Sequence, residues 1–208
     1  MMIINPKGGK KNGKNHCYSV DNSCFICYGG GHSVAASPVD PGGFNLVEYI
    51  ETHEIQSIEE FKEVIETNTE YTAPEYIPEE ISYFDVSIDY DSYTVCVTTM
   101  GYPSIFRGTE VSNSASKDYY SSSGAKIFTI TVSGRFSYTS NSCTNISKSG
   151  GFSHPIYSLW TSTPSVTSGH INSTKAYART SGTATSGGNS ISYSLTLTCD
   201  NTGHFTSY

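Results

Sequence analysis

Between Ser82 and the C-terminus, apolar and polar residues alternate singly, in runs that suit strands. Only one stretch, Ser57 to Asn68, repeats its apolar residues at helical spacing. In "SYFDVSIDY" the residues Phe84, Val86, Ile88 and Tyr90 face one way, while Asp85, Ser87 and Asp89 face the other. "YDSY" is a tight-turn candidate, and "YTVCVTT" returns with Tyr93, Val95 and Val97 on the inner side. The longest alternation runs from Lys126 to Tyr138 and lines up Phe128, Ile130, Val132, Phe136 and Tyr138. Gly134 interrupts that row and is expected to mark a bulge. "ISYSLTLTC" aligns Ile191, Tyr193, Leu195 and Leu197 and ends on Cys199. Weaker strands are expected around Ile156–Trp160 and Lys175–Thr183, with "SGGNS" as the turn into the last long strand. "RGTEVSNSASKDYYSSSG" reads as a long, polar, mobile connection.

The helical stretch is "IQSIEEFKEVIETN". Ser57 is its N-cap and Glu60, three residues on, completes a capping box. Ile58, Phe61, Val64 and Ile65 share a face, and Glu59, Glu60 and Glu63 stand where the helix dipole favours anions. The helix should end near Thr67 to Asn68, followed by the Pro-broken linker "EYTAPEYIPEE". Residues 1–43 lack an apolar period and are punctuated by Gly and Pro. The pattern therefore predicts three segments: 1–43, a flexible Cys/Gly-rich arm; 44–81, an acidic helix and linker; 82–208, a β-sandwich domain. The expected class is mainly β, an immunoglobulin-like antiparallel β-sandwich with one short N-terminal helix and an irregular N-terminal arm.

Composition supports strands. Apolar residues are only 36% and charged ones 15% of the chain, and Ser, Thr, Gly and Asn fill the difference, which suits hydroxylated strand faces and tight turns. The net charge of −7 is unevenly spread. Residues 40–91 carry −14, whereas residues 1–39 carry +3 and residues 92–208 carry +4. Neither basic piece is dense, so nucleic-acid binding is not expected. The acidic segment is expected to pack against the basic sandwich. No window is apolar enough to span a bilayer. Lys7, Lys10, Lys11 and Lys14 are not followed by an apolar run, so no signal peptide is expected in this chain.

Two cysteines close strands: Cys199 ends the last inward row and Cys143 lies just past the 126–138 strand, in "YTSNSC". A bridge between them would close a loop of about 57 residues and contribute about 4 kcal/mol on the chain-entropy model. Two separate buried thiols are the other reading. The C-terminal segments "VSGRFSYTSNSC", "SLWTSTPSV", "YARTSGTAT" and "YSLTLTCDNTGHFTS" together resemble a family. They are similar to small uncharacterised exported proteins of anaerobic Gram-positive bacteria that end in a Leu-Thr-Leu-Thr-Cys-x-x-x-Gly signature. The resemblance covers residues 126–208 and, less securely, the acidic helix. It implies an extracellular or cell-surface location and places the family's two cysteines at Cys143 and Cys199, but implies no catalytic residues. The arm "MMIINPKGGKKNGKNHCYSVDNSCFICYGGGH" departs from that pattern.

The arm holds one metal-like set. Cys24, Cys27 and His32 stand in C-x2-C-x4-H spacing, but the expected fourth ligand position is Ser37. Cys17 or His16 would have to substitute, so this is a weak candidate, and disulfides or idle thiols compete with it. No cofactor is expected. The S-x-x-K pairs Ser114–Lys117 and Ser123–Lys126 lack partner motifs, and no G-x-S-x-G elbow occurs. His154, His170 and His204 are scattered, and Asp85, Asp89 and Asp91 read as a charged strand face before a calcium site. Trp160 with Tyr157 is the best single ligand-contact candidate, although a lone Trp in a sandwich more often plugs the core. These readings lead to the expectation of a secreted or surface-exposed, non-enzymatic interaction protein with an unknown protein or carbohydrate ligand. A self-assembling fibre subunit linked through the arm is the alternative, and an accessory carbohydrate- or peptide-active enzyme the remote one.

Overall fold

The computed structural model describes residues 43–69 and 80–208. Two antiparallel sheets stack over the apolar rows of their strands. The first sheet, sheet A, contains β1 (Ile81–Asp89), β2 (Thr94–Gly101), β3 (Ser104–Arg107), β4 (Glu110–Tyr120), β5 (Lys126–Thr139) and β6 (Ser142–Ser153). Its order is β1-β2-β4-β5-β6, with β3 continuing alongside β4 where β2 ends. The second, sheet B, has the order β10-β9-β8-β7, built from β7 (Ser165–Asn172), β8 (Lys175–Ser186), β9 (Asn189–Asp200) and β10 (Phe205–Ser207). Two helices precede them, α1 (Leu46–Thr52) and α2 (Ile58–Asn68).

The class is an antiparallel β-sandwich with a helical appendage. Its connectivity is a meander within each sheet. The Greek-key crossings of an immunoglobulin fold do not occur among the described strands.

The inter-sheet core follows the predicted rows. Phe128, Ile130, Val132 and Phe136 of β5 are fully buried against Leu195, Leu197 and Cys199 of β9. Gly134 gives way to a neighbour: a Cβ there would stand 2.5 Å from the Phe136 ring. The irregular register falls one step later, between Arg135 and Phe136, on the β6 side. The "SGGNS" turn is as expected, with Gly187 at φ 55° and Gly188 at φ 89°, the left-handed pair that a two-residue hairpin needs.

The row Phe84, Val86, Ile88 has a different destination from the one expected. It joins Val95, Val97 and Tyr120 in a second cluster on the other face of sheet A, beneath α1 and α2. Strand β2 is thus buried on both faces, Val95 and Val97 toward the helices and Cys96 and Met100 toward sheet B. Tyr90 and Tyr93 lie at the hairpin turn and are exposed. Alternation reveals that a strand has two sides, but not which layer covers each.

Helix α2 is as expected. Ser57 Oγ accepts from Glu60 N at 3.1 Å, and Glu60 Oε2 accepts from Gln56 N at 2.8 Å. Ile58, Phe61, Val64 and Ile65 are buried, with Phe61 edge-on to Tyr120. Ser57→Ala is expected to cost about 1 kcal/mol in chemical denaturation. Helix α1 was not anticipated; Asn45 caps it through its Oδ1, which accepts from Val47 N. The acidic helices do pack on the sandwich, but through apolar side chains. Both ion pairs among the described residues, Lys126–Asp118 and Arg135–Glu110, lie within sheet A.

Three further expectations are corrected. The polar stretch read as a mobile connection is β4, the strand between β2 and β5. Its inward row of Val111, Asn113, Ala115 and Tyr119 is too small and polar to announce itself, and pairing on both sides holds it in place. Ile156–Trp160 is no strand but part of the crossing from β6 to β7. Strands β6 and β7, rich in Ser and Gly, were not expected. Gly150 shows why glycine matters in β6. A Cβ there would sit 1.9 Å from Thr180 Oγ1, where the Thr180 hydroxyl donates to Thr131 O at 2.7 Å. Gly150→Ala is therefore expected to destabilise by about 3 kcal/mol, read from the denaturant midpoint.

Candidate functional site: a hydroxyl-lined trough on sheet A

The helices cover only the β1–β2 side of the outer face of sheet A. The rest is open, because the residues that alternate with the core rows of β4, β5 and β6 are Ser and Thr. The register stacks them across strands. Thr99, Ser116 and Thr131 form one row, Ser114, Ser133 and Ser149 the next, and Ser112, Arg135 and Ser147 a third. Two adjoining hollows of about 490 and 540 Å3 lie on this face and share Gly101, Ser114 and Ser133. Together they make one trough along β5 from Thr129 to Arg135, about 20 Å at the rise of a strand.

One end is built around an ion pair. Lys126 Nζ lies 2.8 Å from Asp118 Oδ1, which also accepts from Thr129 Oγ1 at 2.6 Å. His154, Pro155 and Ile58 of α2 complete that end. At the other end Arg135 pairs with Glu110, and its guanidinium stands 4.7 Å from the Phe106 ring centre. Phe106 and Tyr102 are 54% and 61% exposed, so the aromatic rim faces solvent. This end holds two buried donors with no partner, Arg135 Nε and Asn113 Nδ2. Asn113 is 7% exposed, and only its Oδ1 is engaged, accepting from Ser114 N at 2.8 Å. A buried unpaired donor costs free energy comparable to a lost hydrogen bond, and since Asn113 belongs to the inward row, Arg135 Nε is the one that stands on the trough's own face.

The expected site residues fall elsewhere. Trp160 packs at the edge of the inter-sheet core, its ring 5.8 Å from that of Phe128. Ser158 donates to Ile127 O and fastens the same loop. Tyr157 is 53% exposed. Cys143 and Cys199 are fully buried and lie side by side, thiol to thiol, on β6 and β9. The structure holds them as free thiols, so the expected bridge is present as a juxtaposition and not as a bond. Burial raises both thiol pKa values; the hydrogen bond from Cys199 partly offsets this at Cys143. Cys96 is likewise pushed up to about 11 by burial. Cys17, Cys24, Cys27 and His32 lie outside the described residues. Among the described residues no His, Cys, Asp and Glu side chains cluster as a metal site, and no helix is long and apolar enough to cross a membrane. Asp89 instead caps its own turn, accepting from Asp91 N and from the Ser92 hydroxyl.

The trough was missed because β4 was. Its one legible signal is the strict period-2 spacing of Ser112, Ser114 and Ser116, alternating with Val111, Asn113 and Ala115. No protein-family model, curated protein or solved structure matches the chain.

Proposed function

We propose that this chain is a secreted or surface-exposed, non-enzymatic interaction protein that offers the trough of sheet A to a ligand. The observation that carries the reading is the trough itself: open to solvent, lined with hydroxyls and rimmed by exposed aromatics. That is equipment for recognition through hydrogen bonds and ring contacts. Exposure to an oxidising exterior is supported by the thiols of Cys143 and Cys199, which meet across the two sheets. Joining them removes two electrons and two protons, which pass to a disulfide-class oxidant through thiol–disulfide exchange. Because burial disfavours the thiolate, the exchange belongs to folding, before the core closes.

The test is the non-reduced intact mass of protein recovered from its native source, with peptide mapping after blocking of free thiols. The expected result is a mass 2 Da lower than the fully reduced chain for this pair, from about one hydrogen lost per sulfur, and a peptide joining Cys143 to Cys199. Native protein with both thiols free and alkylated only after denaturation would overturn the exposed location.

A further inference from the structure

We infer that the trough on sheet A takes a neutral saccharide chain, laid along β5 from Thr129 to Arg135. This rests on the reading of the chain as a non-enzymatic interaction protein and adds the class of its ligand. Three observations converge. The floor is a ladder of hydroxyls in register across four strands, each able to donate and to accept. A polyhydroxylated ligand matches such a floor at many points, whereas an apolar one would strip water from it without return. The rim then supplies the complementary contact. Phe106 and Tyr102 expose ring surface at the same end where Arg135 Nε lacks an acceptor. A pyranose offers both partners at once, an apolar C–H face for a ring and a band of oxygens for the donor.

Charge decides between saccharide types. The two cations in the trough walls are already neutralised, Lys126 by Asp118 and Arg135 by Glu110. Among the described residues Lys148 has no ion pair there, while α2, whose Ile58 lines one end, carries Glu59, Glu60, Glu63 and Glu66 against the single Lys62. An anionic polymer would meet little attraction in the trough and repulsion beside it. A neutral chain meets neither. The length of the floor, about 20 Å, accommodates a short run of sugar units, so the ligand is a chain rather than a monosaccharide.

The test is affinity electrophoresis of the full chain through gels containing xylan, mixed-linkage β-glucan or glucomannan, with polygalacturonate as the anionic contrast. Retardation by at least one neutral polymer is expected, equal at low and high salt. Phe106→Ala and Tyr102→Ala each alter an exposed side chain and are expected to weaken retention, about tenfold for the pair together. Ser133→Tyr, at a half-buried position on the trough floor, is expected to abolish it while circular dichroism stays unchanged. Absence of retardation by every neutral polymer overturns the inference. So does retention that survives Ser133→Tyr, or that occurs only on polygalacturonate and fades with salt. The non-reduced mass of the same native sample separates the two levels. A joined Cys143–Cys199 pair without glycan retention removes the ligand class and leaves the exposed interaction protein. Free thiols remove the latter.

Discussion

Truncating Phe128 to alanine is expected to destabilise the sandwich by about 4 kcal/mol, the largest effect of any single side chain here. Phe128 is fully buried at the centre of an aromatic cluster. Its ring centre lies 4.3 Å from Tyr119, 5.2 Å from Phe152, 5.8 Å from Trp160 and 6.0 Å from Tyr193. These four neighbours come from β4, β6, the β6–β7 crossing and β9, so the one ring touches both sheets and the loop that joins them. Large neighbours from separate elements cannot close on the space left behind, and the cavity term then adds to the lost transfer free energy. Thermal unfolding should show a midpoint lower by about 10 °C. Phe128→Leu, which keeps most of the volume, should cost under half as much. Equal losses for the two variants would mean that ring geometry, and not filled volume, holds the cluster.

Reduction of a Cys143–Cys199 bridge is the second large effect. Closing about 57 residues between β6 and β9 would restrict the unfolded chain by about 4 kcal/mol on the loop-entropy model. The two side chains already touch in the folded state, so little strain need offset that gain. Denaturant midpoints of the oxidised protein with and without reductant should differ accordingly, with unfolding needed before the reductant acts because both sulfurs are fully buried. A reductant-independent midpoint in a sample shown to be bridged would mean that the unfolded state is already compact around these strands.

Much of this molecule was legible in its pattern. The row Phe128, Ile130, Val132, Phe136 and the row ending in Cys199 face the core because side chains alternate strictly along a strand. Helix α2 was legible from Ser57 to Asn68 because its cap and its apolar spacing are both local. Other features depend on residues far apart in the chain. Phe84, Val86 and Ile88 alternate as expected, yet they face α1 and α2 instead of sheet B. The pattern states that a face is buried without naming its cover. Strand β4 was illegible for the opposite reason. Asn113 and Ala115 are poor strand signals, and what makes them part of a strand is pairing with β5, joined at Ala115 by β2, over the core between the sheets.

The trough belongs wholly to this second kind. Ser114, Ser133 and Ser149 are scattered serines in a serine-rich chain until register places them in one row. Asn113 becomes an unpaired donor only because β2 ends and β3 begins opposite it. The sequence by itself determined the inward rows of β5 and β9 and the extent of α2, since periodicity and capping act within a few residues. Only the tertiary structure decided which layers meet, that Cys143 reaches Cys199, and that one sheet face stays open. Those outcomes depend on pairing between segments tens of residues apart, whose contact free energies no local pattern records.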